Sequence, residues 1–266
     1  MNGEKNHGRG AATLTSHTDA LRLAAVADLH CTKASRGKLR PLFARMAEDA
    51  DVILFPGDLT DYGLPEEARV LAQELKDVRG IPMIGVLGNH DFHSERQDEV
   101  KSILLAEVGM RILDGDSLEI KSVGFTGVKG FMGGFDNRML QAWGEPVIKL
   151  IVHEAMEESL KLETGLARLK TRHRIVLLHY APVRATVVGE PPEIHPFLGS
   201  SRLEEALHRH RATAVFHGHA HYGSPDGTTS DGIPVFNVAL PLLKRRSPQR
   251  PAYRKVELPL RVDHAK

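Results

Sequence analysis

The feature of this sequence that most constrains its fold is a series of apolar runs, each ending in a cluster of Asp, Asn and His residues. Residues 83–87, for example, form an apolar run that ends in Gly88-Asn89-His90-Asp91. The other four clusters are Asp28-Leu29-His30, Gly57-Asp58-Leu59-Thr60-Asp61, the lone His179, and His217-Gly218-His219-Ala220-His221. Asn or Asp after a strand usually indicates only a turn, so no single cluster is decisive. Their recurrence in one chain indicates a shared site.

The first three clusters recur about every 30 residues, which is the length of a strand–helix–strand unit. The apolar pattern predicts strands at residues 21–27, 52–55 and 83–87, with helices at 38–49 and from Pro65 to near residue 80. Such units form a parallel sheet with right-handed crossovers. Ligands bind beyond the carboxyl ends of the strands of these sheets. We therefore expect the first three clusters to lie side by side.

The second half of the chain is richer in short strands. Strands are predicted at residues 112–113, 118–121, 123–128, 174–178, 214–216, 234–238 and 253–258, and helices at 94–108, 147–170 and 203–210. Gly165 could interrupt the second of these helices. Residues 130–143 are predicted to be a loop, and the Pro-rich residues 181–196 a loop over the site.

Composition excludes several classes of protein. With 35 Lys plus Arg against 34 Asp plus Glu and only 5% aromatic residues, the 266-residue chain offers no general argument for a nucleic-acid or membrane partner. Apolar runs are shorter than the roughly 18–20 residues that span a bilayer. Residues 1–19 lack the apolar region of a signal peptide and are predicted to be disordered. Residues 20–266 are expected to form one domain.

The only cysteine, Cys31, cannot form an internal disulfide, which favours a cytoplasmic location. Because it follows His30 it could be a reactive thiol, but a small buried packing residue is the favoured interpretation. Four basic residues, Lys244, Arg245, Arg246 and Arg250, lie close together. They are predicted to be a solvated loop rather than a phosphate-binding patch.

The clusters provide a mixed set of oxygen and nitrogen ligands, namely Asp28, His30, Asp58, Asn89, His179, His219 and His221. Such a set suits Mn, Fe or Zn, and the absence of Cys ligands disfavours a structural zinc site. Seven ligands are too many for one tetrahedral metal but the right number for two metals that share a carboxylate. Asp58 is the natural bridge. The sequence therefore predicts two divalent metal ions as cofactors.

The five clusters resemble the five-block signature of the calcineurin-like metallophosphoesterases. The matching blocks, in the family order, are Asp28-x-His30, Gly57-Asp58-x-x-Asp61, Gly88-Asn89-His90-Asp91, His179 and Gly218-His219-x-His221. The resemblance covers about residues 21–240. It implies an α/β fold in which a two-sheet β-sandwich is flanked by helices in four αββα layers. The periodicity alone predicts only a parallel half followed by a strand-rich half.

The resemblance also implies a role for each residue. One metal would be held by Asp28, His30, Asp58 and His221, and the other by Asp58, Asn89, His179 and His219. His90 would donate to a phosphoryl oxygen or protonate the leaving group, with Asp91 orienting its ring. A hydroxide activated by both metals would attack phosphorus in line. The implied enzyme hydrolyses a small phosphoric ester, and a phosphodiesterase is favoured because Gly57-Asp58-Leu59-Thr60-Asp61-Tyr62-Gly63 resembles bacterial cyclic-nucleotide phosphodiesterase-like members.

Alternative interpretations are a phosphomonoesterase or nuclease with the same site, and a non-catalytic scaffold. The scaffold is disfavoured because the chain has every ligand of the signature together with His90 and Asp91. His217 is predicted to be a packing or supporting residue, and Asp61 a turn or cap residue. His93 or His195 could line the pocket from a loop.

Overall fold

The computed structural model describes residues 20–246 and 248–260, so the predicted disordered segment, residues 1–19, lies outside it. The described strands are β1 (Ala20–Ala25), β2 (Val52–Pro56), β3 (Met83–Val86), β4 (Arg111–Ile112), β5 (Ser117–Ile120), β6 (Val123–Val128), β7 (His173–Leu178), β8 (Ala214–His217), β9 (Asp226–Thr228), β10 (Pro234–Asn237) and β11 (Arg254–Pro259). The described helices are α1 (Arg40–Asp49), α2 (Pro65–Leu75), α3 (Gln97–Val108), α4 (Pro146–Arg168), α5 (His195–Leu198), α6 (Ser201–His210) and α7 (Leu240–Arg246).

The described strands form two sheets, one in the order β11-β1-β2-β3-β4 and the other in the order β5-β6-β7-β8-β10-β9. Strands β1 to β4 are mutually parallel, with β11 antiparallel at the edge. Strands β6, β7, β8 and β10 are also parallel, between the antiparallel β5 and β9. The predicted parallel strand–helix arrangement and the two-sheet fold are confirmed.

The space between the sheets is filled by alternating side chains. Leu54 of β2 faces the second sheet and packs in one cluster with Phe125 and Phe216. Its neighbours Ile53 and Phe55 point the other way, into the cluster formed with the helices. This alternation is the two-residue period of a strand. Each large side chain buried in this way contributes about 1.5–3 kcal/mol of transfer free energy.

Helices cover the outer face of each sheet and complete the four layers. The side chains that α1, α2 and α3 bury against the first sheet include Phe43, Met46, Leu71, Leu75 and Leu104. Those that α4 and α6 bury against the second sheet include Leu162, Leu166, Leu203 and Leu207. Within the described residues, no helix is both long and apolar enough to cross a membrane.

Two local predictions are corrected by the structure. The helix α4 runs through Gly165 without interruption. A Cβ at this position would lie 2.1 Å from Thr126 Oγ1, so the glycine is needed where the helix approaches β6. Lys244, Arg245 and Arg246 are not in a loop but form the last turn of α7. Cations are favourable there because they face the negative end of the helix dipole.

Candidate metal centre

Tight turns at the strand ends direct the predicted ligands towards one another. Four of the ligands have a left-handed backbone, with φ of +56° at Asp28, +43° at His30, +48° at Asp58 and +70° at His219. Such values are uncommon for residues other than glycine. They occur mainly where the surrounding structure holds a functional side chain in place.

Three motif glycines leave room for ligands that come from other clusters. An added Cβ would clash in each case: 2.4 Å from His179 Nδ1 at Gly57, 2.1 Å from Asp58 Oδ1 at Gly88, and 2.3 Å from Asp28 Oδ2 at Gly218. Real Cβ atoms do not approach other heavy atoms so closely. The glycines of the motifs are therefore required by contacts between clusters, not only by the turns that they form.

The described residues contain three candidate metal-binding groups, one of which is His30 with Asp61 and His90. The first of the other two, here called the inner group, consists of Asp58, His179 and His219. His179 Nε2 lies 3.4 Å from Asp58 Oδ2 and 2.9 Å from Asn89 Oδ1. The other ring nitrogen of His179 is 3.2 Å from the carbonyl oxygen of Pro56. If Nδ1–H donates to that carbonyl, the Nε2 lone pair faces the carboxylate and amide oxygens.

The second group, here called the outer group, consists of Asp28, His30 and His221. His221 Nε2 lies 2.9 Å from Asp28 Oδ1, although 193 positions separate the two residues in sequence. His30 Nε2 lies 3.7 Å from Asp58 Oδ2, the same oxygen that faces His179 in the inner group. One carboxylate therefore stands between the two groups.

His30 provides a test of whether these residues fit a metal. Its Nε2 atom is buried and, among the described residues, has no hydrogen-bond partner. Its Nδ1 atom is 3.1 Å from Asp61 Oδ1, which can accept the ring proton and leave the Nε2 lone pair facing the site. A buried polar atom without a partner costs about 1–3 kcal/mol. A cation would satisfy it, and the His, Asp and Asn atoms nearby are suitable co-ligands.

Charge and burial shift the pKa values of two histidines of the inner group in opposite directions. Burial opposes a charge on His179, but attraction to Asp58 outweighs it and raises the pKa of His179 to about 9. Burial, reinforced by the charge of His179, lowers the pKa of His219 to about 4. His219 is therefore a neutral imidazole near pH 7, the form that binds metals.

Asp61, not Asp91, is the residue that holds the ring of His90. Among the described residues, the hydrogen-bond partner of His90 Nδ1 is the carbonyl oxygen of Asp61, at 2.8 Å, and the Asp61 carboxylate lies 3.5 Å away. The rings of His30 and His90 meet edge to face at 4.4 Å between centroids. The prediction that Asp91 orients His90 is thus wrong, and Asp61 is more than the predicted turn or cap residue.

Asp91 instead fixes the loops that carry the ligands. Its carboxylate is fully buried and accepts hydrogen bonds from the backbone N–H groups of Leu59, Thr60 and Gly88 and from the Thr60 hydroxyl. Burial and the nearby Asp58 carboxylate raise the pKa of Asp91 to about 6, against the effect of these hydrogen bonds. The contact joins the loop after β2 to the loop after β3.

The remaining histidines lie around the two groups. His217 is fully buried, with Nε2 2.8 Å from Thr186 Oγ1, and burial lowers its pKa to about 4. This agrees with the predicted packing role. The exposed ring of His93 lies 4.5 Å from that of His90 between centroids. His195 Nε2 lies 3.1 Å from the carbonyl oxygen of Glu190.

Two contacts at the site were missed by sequence reasoning. The carbonyl oxygen of Phe197 lies 3.2 Å from His219 Nε2, and a main-chain acceptor leaves no signal in a sequence. Arg245 stacks over the ring of Tyr222, with its guanidinium carbon 4.3 Å from the centroid, and donates to the carbonyl oxygen of His221 at 2.9 Å. The basic run that contains Arg245 was the available signal.

The family model of the calcineurin-like phosphoesterases matches residues 21–223 of this chain. The chain belongs to that family. Family members are metal-dependent phosphoester hydrolases with a two-metal site, and the inner and outer groups are candidate metal-binding groups of this chain. The chain is accordingly a phosphoesterase. Among curated proteins, no match was found.

Solved structures with the same fold include the phosphopantetheinyl hydrolase PptH from Mycobacterium tuberculosis, with 16% sequence identity and a TM-score of 0.61 over 88% of this chain and 95% of that one. TT1561 of Thermus thermophilus has 16% identity and a TM-score of 0.54 over 91% and 100%. GAP50, the anchor in the inner membrane complex of Plasmodium, has 11% identity and a TM-score of 0.52 over 84% and 72%. At these identities the similarity shows the fold alone.

Proposed function

We propose that this phosphoesterase is a phosphodiesterase with two divalent metal ions, Mn, Fe or Zn. The outer metal would be held by Asp28, His30, Asp58 and His221, and the inner metal by Asp58, Asn89, His179 and His219. The observation that supports the two-metal site is the position of Asp58 Oδ2, 3.7 Å from His30 Nε2 and 3.4 Å from His179 Nε2. A carboxylate oxygen in this position can serve two cations at once.

When bound, the two cations supply Lewis acidity to the phosphoryl oxygens and lower the pKa of a water molecule for in-line attack. The chain itself supplies the proton. With Nδ1–H of His90 donating to the Asp61 carbonyl oxygen, Nε2 is the ring atom free to face a substrate. From there it would donate to a phosphoryl oxygen or protonate the leaving oxygen.

Preference for a diester rests on the second motif, Gly57-Asp58-Leu59-Thr60-Asp61-Tyr62-Gly63, which resembles that of cyclic-nucleotide phosphodiesterase-like proteins. A phosphomonoesterase or nuclease could use the same site. The near-neutral charge and the 5% aromatic content favour a small substrate over a nucleic acid. The single, buried cysteine suits a reducing compartment such as the cytoplasm.

A non-catalytic role is the second candidate. GAP50, which has this fold, is described as an anchor, so the fold by itself does not establish catalysis. Against a scaffold stands His90, whose ring lies beside the outer group. A scaffold would have no need of a proton donor in that position.

The test is hydrolysis of bis(p-nitrophenyl) phosphate and p-nitrophenyl phosphate by chelator-stripped protein, with and without Mn²⁺, together with metal analysis. We expect Mn²⁺-dependent turnover and a higher kcat/KM for the diester. A higher value for the monoester would replace the proposal with a phosphomonoesterase. Protein that binds no metal would favour the scaffold. Asp98→Ala is the control, because that carboxylate is 86% exposed on α3.

A further inference from the structure

An apolar groove adjoins the candidate metal centre. It lies between the loop after β6, the start of α4 and α5, and has a volume of about 360 Å³. Its apolar lining consists of Met132, Leu140, Ile148, Ile151, Pro196 and Phe197. The volume is in the range of small-molecule binding sites, which begins at about 300 Å³. Nothing in the proposed chemistry of the metal centre uses this groove.

Phe197 connects the groove to the metal centre. This residue lines the groove and is 58% exposed, while its carbonyl oxygen lies 3.2 Å from Nε2 of His219 in the inner group. A residue that lines the groove is therefore one hydrogen bond away from a proposed metal ligand. This proximity places the groove within reach of a group attached to a phosphate in the metal centre.

Hydrogen bonds to main-chain carbonyls fix the walls of the groove. Gly133 N–H donates to the Pro196 carbonyl at 2.8 Å, and Leu140 N–H donates to the Gly133 carbonyl at 2.7 Å. Arg202 Nη2 donates to the Leu140 carbonyl at 3.0 Å. With its walls held by these bonds, the groove is formed before a ligand arrives, and little ordering of the chain opposes binding.

We propose that the substrate is a phosphoester with an extended aliphatic chain on one ester oxygen, and that this groove binds the chain. The inference rests on the proposed function, because the metal centre would place the phosphate. The apolar lining favours an aliphatic chain over a nucleobase, whose polar edges would lose hydrogen bonds to water there. Arg138 also lines the groove and is the cation available for a polar group on the chain.

The test uses p-nitrophenyl phosphodiesters with a methyl, butyl or octyl group on the second ester oxygen, below their micelle concentrations, and the full chain loaded with Mn²⁺. In each reaction the water oxygen bonds to phosphorus and p-nitrophenolate leaves, so the reacting bond stays the same. We expect kcat/KM to rise by about two- to fourfold per methylene until the groove is full, because each methylene that enters the groove removes apolar surface from water.

Three variants on α4 show whether the groove causes the chain-length effect. Ile148→Glu places a charge in the groove and should bring the octyl-to-methyl ratio of kcat/KM close to one. Leu160→Glu is the matched control, because Leu160 is 52% exposed on the same helix and does not line the groove. It should keep both the ratio and the methyl-ester turnover. Ile148→Ala, a milder change, should lower the ratio in the same direction if the charged variant does not fold.

Two results would overturn the inference: an octyl-to-methyl ratio of kcat/KM near one in the wild type, or an unchanged ratio in a folded Ile148→Glu protein. If the wild type shows a ratio near one and is a dimer that Ile148→Glu converts to a monomer, the groove is a contact between copies. Each leaves the phosphodiesterase proposal standing if the methyl ester is hydrolysed. Failure to hydrolyse any ester with metal bound would instead count against the proposed function.

Discussion

The two candidate metal positions differ in how deeply they lie in the protein. In the inner group the side chains of His179 and Asp58 are 0% and 2% exposed, whereas in the outer group those of His30 and His221 are 21% and 32% exposed. The inner position is thus the more deeply buried, and the outer one is the more accessible to solvent, chelators and substrate. We expect a metal in the outer position to exchange faster.

Each position nevertheless draws side chains from both halves of the fold. The first sheet supplies Asp28, His30, Asp58 and Asn89 through the turns after β1, β2 and β3, and the second sheet supplies His179, His219 and His221. Neither group can form until the two sheets have packed together. Metal binding should therefore stabilise the packed state, since a ligand that binds only the native state raises the free energy of unfolding.

The largest effect is expected from Asp58→Ala, which should prevent metal binding at both positions. The variant lacks the carboxylate that lies between the groups. Metal content should fall to near zero, and kcat/KM for bis(p-nitrophenyl) phosphate should fall by roughly 10³-fold or more. Stoichiometric metal in the purified variant would refute the bridging role. Asp98→Ala should match the wild type.

The next largest effect is expected from His90→Ala, which should leave both metals in place and remove the proton donor. We expect kcat to fall by about 10²- to 10⁴-fold. His93→Ala, a change of the neighbouring exposed ring, serves as the control and should lose far less activity. Wild-type turnover in the His90 variant, with normal metal content, would show that another group supplies the proton.

Asp61→Asn should weaken metal binding at the outer position and leave the inner position unchanged. Asp61 contacts His30 of the outer group, and loss of a carboxylate behind a metal-binding histidine typically weakens metal affinity by about 10- to 100-fold. Titration with a competing chelator should show this loss for one of the two metals, with the tighter one unchanged. An equal loss at both would mean that the groups are not independent.

The last prediction concerns the reactivity of Cys31 and not the two metal positions. The structure buries this residue completely, in agreement with the predicted packing role. Burial raises the pKa of its thiol from 9.0 to about 12. The reactive thiolate is therefore scarce below pH 12, and alkylation by iodoacetamide at pH 8 should be roughly 10³-fold slower in the folded than in the unfolded protein. Rapid alkylation of the folded protein would contradict this environment.

The sequence by itself determined the strand ends and the ligand types. Apolar runs separated by helical segments require parallel crossovers, and parallel strands place Asp28, Asp58 and Asn89 at one edge of a sheet. That argument needs only periodicity and chain direction. The glycines of the motifs could also be recognised, although their function could not, because Gly57 and Gly88 make room for residues of other clusters.

Tertiary structure alone decided which side chains meet. Asp91 is adjacent to His90 in sequence, yet its carboxylate binds the backbone of another loop, while Asp61 contacts both His30 and His90. Left-handed turns at Asp58 and His30 set these directions, and a sequence does not specify the dihedral angles of such turns. The apolar groove likewise depends on where α5 lies relative to the start of α4, since residues of both line it. Contacts between distant segments arise only when the layers pack, and local sequence patterns do not encode that geometry.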